Sequence, residues 1–233
     1  SLLLAYRINI LREEKIKTQN ILLKHKEDEE IRLTKMVKEK TDELSKLNEK
    51  LELELQEKKK LENILLHEVA TDSLTEILNR RAFFDACAKE MKIAKRYKQD
   101  LSFIIIDIDY FKDINDTYGH LNGDIVLIDL VKTIKNTIRT TDIFGRIGGE
   151  EFAVLMPQTK LDNATQLAER IRSKIEKSEI CFEDQCVNVT VSIGLSYLKA
   201  EDSIIQTILR RADEALFKAI KSGRNQLFNS DQL

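Results

Sequence analysis

Between residues 5 and 70 the chain repeats apolar side chains at spacings of three and four: Leu33, Val37, Leu44, Leu47, Leu51, Leu61 and Leu65. Leucine, glutamate, lysine and glutamine surround them, and no glycine or proline occurs before Gly119. This is a heptad seam. A solvated single helix of that length is marginal, because helix stability comes mainly from burying a stripe. The pattern therefore predicts a parallel two-stranded coiled coil, roughly 100 Å long at 1.5 Å per residue. Lys40, Glu54 and Lys58 interrupt the seam, so its register is open to shifting. The alternative is a charged helix packed on its own domain.

Beyond residue 70 the period changes. Asp72 or Ser73 is a candidate helix cap. Residues 80–97 read as an amphipathic helix, and LSFIIIDID as a strand buried on both faces. DYFKDINDTYGHLNGD reads as a polar loop, and GDIVLIDLVKTIKNTIR as a helix. DIFGRI and EEFAVLM form a hairpin about Gly148-Gly149. A helix over LDNATQLAERIRSKIEKS, an alternating strand over VNVTVSIGLSYL and a last helix ended by Gly223 complete the order. The expected fold is an α/β (α+β) sandwich with an antiparallel hairpin at its centre, close to the split βαβ plan. The expected division is a helical segment, 1–70, and a sandwich domain, 71–233.

Charge removes one class of partner. The 233 residues carry 38 Lys and Arg against 40 Asp and Glu, a net charge of -2, so no field is set up to hold nucleic acid. Three cysteines, Cys87, Cys181 and Cys186, without a CxxC pair read as reduced thiols. The apolar start SLLLAYRINI is too short to span a bilayer, which takes roughly 20 residues. It reads either as the cytoplasmic end of a membrane helix, with Arg7, Arg12 and Lys15 on its inner flank, or as an ordinary apolar helix end.

The chemistry concentrates in carboxylates. Alternation along a strand puts Asp107 and Asp109 on one face. If that strand lies beside the hairpin, Asp107 approaches Glu150 or Glu151. Carboxylates without histidine or thiol suit a hard cation such as magnesium, whose remaining positions take water and phosphate oxygens. Forcing like charges together is costly without the ion. The segment after Asp109 offers backbone N–H groups and Lys112 for phosphate oxygens. It also offers Asn115 and Asp124, groups able to read a guanine edge.

Four ordered motifs resemble one family. GRIGGEEF resembles the GG(D/E)EF signature of diguanylate cyclases. DSLTEILNRRAF is similar to their opening motif D-x-L-T-G-L-x-N-R-R-x-F, DIDYFKDINDTYGHLNGD to their nucleotide loop, and RADEALFKAIKSGRN to their closing helix. The resemblance, over about residues 70–226, implies a fold like nucleotidyl cyclases and polymerase palms. It implies condensation of two GTP into cyclic di-GMP with release of two pyrophosphates, each subunit of a dimer holding one GTP. By resemblance Asp107, the Ile108 carbonyl and Glu150 bind Mg²⁺ or Mn²⁺, and Glu150 and Glu151 support attack by the ribose 3′-hydroxyl. Asn115 and Asp124 read guanine; backbone at Tyr110, Phe111 and Lys112, with the Lys112 and Arg224 side chains, holds phosphates. RTTD, Arg139 to Asp142, stands where the family has a product-inhibition site, to which Arg170 adds a contact.

Two positions depart from the pattern. Glu76 replaces a glycine, an exchange expected to be tolerated. Ile220 replaces a phosphate-binding lysine, which predicts GTP binding weaker by about 1–3 kcal/mol. Lys221 is adjacent but points about 100° away on a helix. The expectation is an active cyclase in the cytoplasm, free or as the cytoplasmic part of an inner-membrane protein with an upstream sensor. The rivals are a cyclic di-GMP receptor without turnover, and a coiled-coil scaffold whose second half only docks partners.

Overall fold

The computed structural model describes residues 2–182 and 185–232, with the side chains of 2–10, 14 and 60–68 outside the description. The chain forms two compact units, Ser1–Ile64 and Leu65–Leu233. The first is helix throughout its described length, part of α1 (Leu2–Ala70). Leu33, Val37, Leu44, Leu47 and Leu51 are between 47% and 62% exposed, so burying the seam takes a second apolar surface. The seam side chains of Leu61 and Leu65 lie outside the described residues. Among the described residues no helix is long and apolar enough to cross a membrane.

The second unit continues with α2 (Arg80–Tyr97), β1 (Leu101–Ile108), α3 (Phe111–Tyr118), α4 (His120–Lys135), β2 (Ile143–Arg146), β3 (Glu151–Pro157) and α5 (Leu161–Glu176). Then come β4 (Glu179–Phe182), β5 (Gln185–Asn188), β6 (Val191–Tyr197), α6 (Ile205–Lys221) and β7 (Leu227–Asn229). Five strands form one sheet in the order β2-β3-β1-β6-β7. β1 is antiparallel to both β3 and β6, and β7 runs parallel to β6. The β2–β3 hairpin therefore lies toward one edge, and β1, not the hairpin, is central. Alternation along β1 sends Ile104, Ile106 and Ile108 into one core with residues of α4 and α5. Phe103 and Ile105 enter a second core with residues of α2 and α6. Both faces of the sheet are covered, which is why β1 reads as a continuous apolar run.

Several sequence expectations change. The polar loop after Asp109 is mostly helix: Phe111 and Ile114 are buried on α3, a three-residue spacing masked by its polar neighbours. The alternating strand is two, β5 and β6. Asn79, not Asp72 or Ser73, caps α2, its side chain accepting from the Ala82 N–H. The cysteines are not all reduced thiols. Cys181 and Cys186, opposite each other in the β4–β5 register, form a disulfide. Cys87 is free and buried, and burial pushes its thiol up to about 12.

Candidate active site

Register brings the acidic groups together. β1 pairs antiparallel with β3 so that Asp107 stands opposite Glu151, and the Ile108 N–H donates to the Glu150 carbonyl at 3.4 Å. Burial, then the charges of Glu150, Glu151 and Asp109, push the Asp107 carboxyl from 3.8 up to about 7; the Arg224 charge opposes them. An excess of hard oxygen donors with too little positive charge fits a divalent cation. Among the described residues no three His, Cys, Asp or Glu side chains converge as a complete metal cage. The set thus fits Mg²⁺ or Mn²⁺ held by two carboxylates, with other positions left to water, backbone and phosphate oxygens.

The signature turn is held by two arginines, one at the start of α2 and one at the end of β2. The Arg80 guanidinium donates to the Ile147 carbonyl. Arg146 donates to the Gly149 carbonyl through Nε at 3.1 Å and Nη2 at 2.6 Å, and pairs with Asp72 at 3.1 Å. Burial would raise the Asp72 carboxyl, but hydrogen bonds from Thr75 and the Arg146 charge outweigh it and hold it low. The turn is wider than a two-residue hairpin loop, since β2 ends at Arg146 and β3 begins at Glu151. Neither glycine of the pair has a positive φ. Gly148 serves a close approach: a Cβ there would lie 2.4 Å from Glu151 Oε2.

The nucleotide-loop residues sit on helices. Tyr110 precedes α3 with φ of 59°, and the α3 N-terminus has no side-chain cap. Its first N–H groups are therefore free of the usual capping oxygen, the arrangement that binds anions. Phe111 is buried beneath this turn and Lys112 is exposed beside it. Asn115 packs against Gly123, where a Cβ would lie 1.9 Å from Asn115 Oδ1; Asp124 is the next residue. The Arg224 guanidinium lies 4.2 Å from the Tyr110 ring centroid and donates to its hydroxyl at 3.2 Å. Ile220 is partly buried against the second core, so its side chain serves packing.

Arg139, Asp142 and Arg170 also come together. They line a cavity of about 170 Å³ with Thr159, Asn163 and Gln166. The Arg139 N–H donates to Asp142 Oδ2 at 2.8 Å, and Arg170 donates to the Thr137 carbonyl at 3.0 Å. Burial raises the Asp142 carboxyl against the opposing pull of Arg139. An adjoining groove of about 520 Å³ includes Glu76 and Lys135. Glu76 has φ of 56°, a left-handed conformation that costs a non-glycine residue about 1 kcal/mol.

Sequence reasoning missed Arg80, Arg146 and Asp72, which brace the signature turn. It also missed Asp109 as an anchor. That carboxylate is 3% exposed and accepts from the Thr190 and Ser192 hydroxyls, each at 2.7 Å, and from the Asn225 N–H at 3.0 Å. The one available signal was the second aspartate of Asp-Ile-Asp, ahead of a loop and without a basic neighbour in sequence.

The fold is a sandwich of helices about one mixed sheet, and comparison with known proteins gives its family. Residues 69–226 match the family described as Diguanylate cyclase, GGDEF domain, and the chain belongs to that family. It is 39% identical over 166 residues to Diguanylate cyclase A of Treponema denticola, covering 70% of this chain and 45% of that protein. The chain thus spans less than half the length of that curated relative. The solved coiled coil and GGDEF domain of DgcB from Caulobacter crescentus, in complex with c-di-GMP, is similar at a TM-score of 0.72 and 26% identity. That match covers 76% of this chain and 93% of the other. The active GGEEF domain of a Vibrio cholerae diguanylate cyclase matches at a TM-score of 0.62 and 39% identity, covering 65% and 96%.

Proposed function

We propose that the chain is a diguanylate cyclase. Two GTP molecules condense into cyclic di-GMP: the 3′-oxygen of each attacks the α-phosphorus of the other, two P–O–C bonds form and two pyrophosphates leave. The observation that carries the reading is the meeting of Asp107, Glu150 and Glu151 at adjoining strand ends, with the Asp107 carboxyl driven up to about 7 for want of positive charge. Asp107, the Ile108 carbonyl and Glu150 would hold Mg²⁺ or Mn²⁺. The bound ion would lower the pKa of the attacking hydroxyl and neutralise charge growing on pyrophosphate.

The chain's own groups do the rest. Glu151, with Glu150, accepts the proton of the 3′-hydroxyl. N–H groups of the first α3 turn, Lys112 and Arg224 bind and orient the phosphates, while Asn115 and Asp124 select guanine. One sandwich domain holds one GTP, so the second half-site comes from a second copy. The seam of residues 1–70 supplies the pairing, bringing two 71–233 domains to high effective concentration. Arg139 and Asp142, with Arg170, form a site at which the product inhibits. The expected setting is the cytoplasm, as a free protein or the inner part of a membrane receptor with an upstream sensor.

The test is turnover of labelled GTP by the purified chain with Mg²⁺, with and without added cyclic di-GMP. Formation of cyclic di-GMP supports the reading, and no product at any metal or GTP concentration rejects it. The inward packing of Ile220 favours one second reading, a weak or inactive domain that serves as a cyclic di-GMP receptor. Calorimetry showing cyclic di-GMP binding without turnover would select it.

A further inference from the structure

Three consecutive residues after α6 lie in the left-handed region: Gly223, Arg224 and Asn225, with φ of 117°, 64° and 47°. Two of them carry a Cβ, and such a run persists only where the surroundings over-determine it. They do so from two sides. From the sheet, buried Asp109 accepts the Asn225 N–H, and the Thr190 and Ser192 hydroxyls fix the same carboxylate. From α5, Arg172 donates to Asn225 Oδ1 at 2.6 Å, and Asn225 Nδ2 donates to Glu176 Oε1 at 2.7 Å. Arg172 is itself forked on Glu169 and paired with Glu176.

Asp109 is a buried carboxylate whose hydrogen-bond donors are all neutral, and among the described residues no ion pair reaches it. Donors from the start of β6 and from the turn after α6 thus converge on one carboxylate just beyond β1. Arg224 immediately precedes Asn225, on which both anchors act. Its guanidinium is laid over Tyr110, and its charge is felt at Asp107. Neighbouring cations are otherwise engaged: Lys221 lies over the Phe217 ring at 5.5 Å, and Lys218 over the Phe228 ring at 5.2 Å. Position 220, one helical turn earlier, is apolar and packed inward.

We infer that Asp109 and Asn225 are positioning residues. They clamp a left-handed turn so that Arg224 is presented, already oriented, to the phosphates of the nucleotide. The inference rests on the reading of Arg224 as a phosphate ligand. It adds that the same aspartate ties this arginine to the end of β1, two residues from Asp107.

A double-mutant cycle tests it on the full chain with GTP and saturating Mg²⁺, comparing Arg224→Ala, Asn225→Ala and the double variant. Asn225→Ala should raise KM for GTP about tenfold with kcat within about threefold, since it disturbs the aim of a binding group. In the Arg224→Ala background the same change should add nothing, because its effect passes through the arginine. Multiplying effects, or a loss confined to kcat, would overturn the proposal. An Arg224→Ala variant with unchanged KM would instead overturn the phosphate-ligand reading, and the clamp with it. Should Asn225→Ala fail to fold, Arg172→Met in both backgrounds carries the same cycle. It loosens Asn225 from outside the turn and should raise KM about threefold only when Arg224 is present.

Discussion

At one end of β2 Asp107 feels the charges of Glu150, Glu151 and Asp109; at the other, Asp142 accepts from the Arg139 N–H. The two ends are separated by a four-residue strand, roughly 13 Å at 3.3 Å per residue. The carboxylate end is electrostatically incomplete, and burial with like charges drives Asp107 up to about 7. At the arginine end Asp142 accepts from the Arg139 backbone N–H, burial raises its carboxyl, and the Arg139 side chain is exposed. An incomplete site responds to cations and protons from outside.

The contrast can be broken by substitution. Glu151→Ala should lower GTP turnover by roughly 10³-fold, the scale for removing a group used in the transition state. Its melting temperature should hardly move, because the side chain is only half-buried. A variant that keeps a tenth of the activity would show that the carboxylate end is not where the proton is taken.

The second prediction concerns pH. The Asp107 carboxyl is raised in the folded chain from 3.8 to about 7, so its protonated form favours folding. That contribution is fully present below about 4 and is lost as pH rises through about 7. Without divalent cation the melting temperature should fall across this window. Millimolar Mg²⁺, which binds the ionised form, should flatten the slope, and so should Asp107→Asn without metal. A slope unchanged in Asp107→Asn would place the titrating group elsewhere. The arginine end should contribute no comparable metal dependence.

Smaller effects are expected at that end. Arg139→Ala should leave kcat within about twofold while shifting the concentration of cyclic di-GMP needed for half-inhibition upward by at least tenfold. Unchanged inhibition would remove the regulatory reading of the cavity and leave the catalytic one standing. Smallest of all, Glu76→Gly should raise stability by about 1 kcal/mol by relieving a left-handed residue on the adjoining groove. Thermal denaturation measures it, and a destabilised variant would mean that the Glu76 side chain makes a contact worth more than the strain.

Strand alternation and the hairpin left Asp107 two candidate neighbours, Glu150 or Glu151, and the antiparallel register sets it opposite Glu151. The α3 helix was harder. Its two buried residues, Phe111 and Ile114, are outnumbered by polar ones, and eight residues are too few for a convincing period. Asn79 was overlooked as a cap because Asp72 and Ser73 are equally good capping types several residues earlier. What separates them is that Asp72 is engaged by Thr75 and Arg146, the latter 74 residues away in sequence. The Asp109–Asn225 link spans 116 residues and joins a side chain to a backbone N–H, a bond that no sequence pattern encodes.

Local order and chemical type were determined by the sequence alone: the heptad seam, the doubly buried β1, the signature turn and the identity of its carboxylates. These depend on periodicity and residue type, which act over a few neighbouring positions. The tertiary structure decided which groups meet. It put β1 at the centre of the sheet, paired Cys181 with Cys186, turned Ile220 inward and gave Arg80, Arg146 and Asp109 their anchoring partners. Those outcomes depend on contacts between distant segments, whose energies exist only once the chain has closed around its two cores.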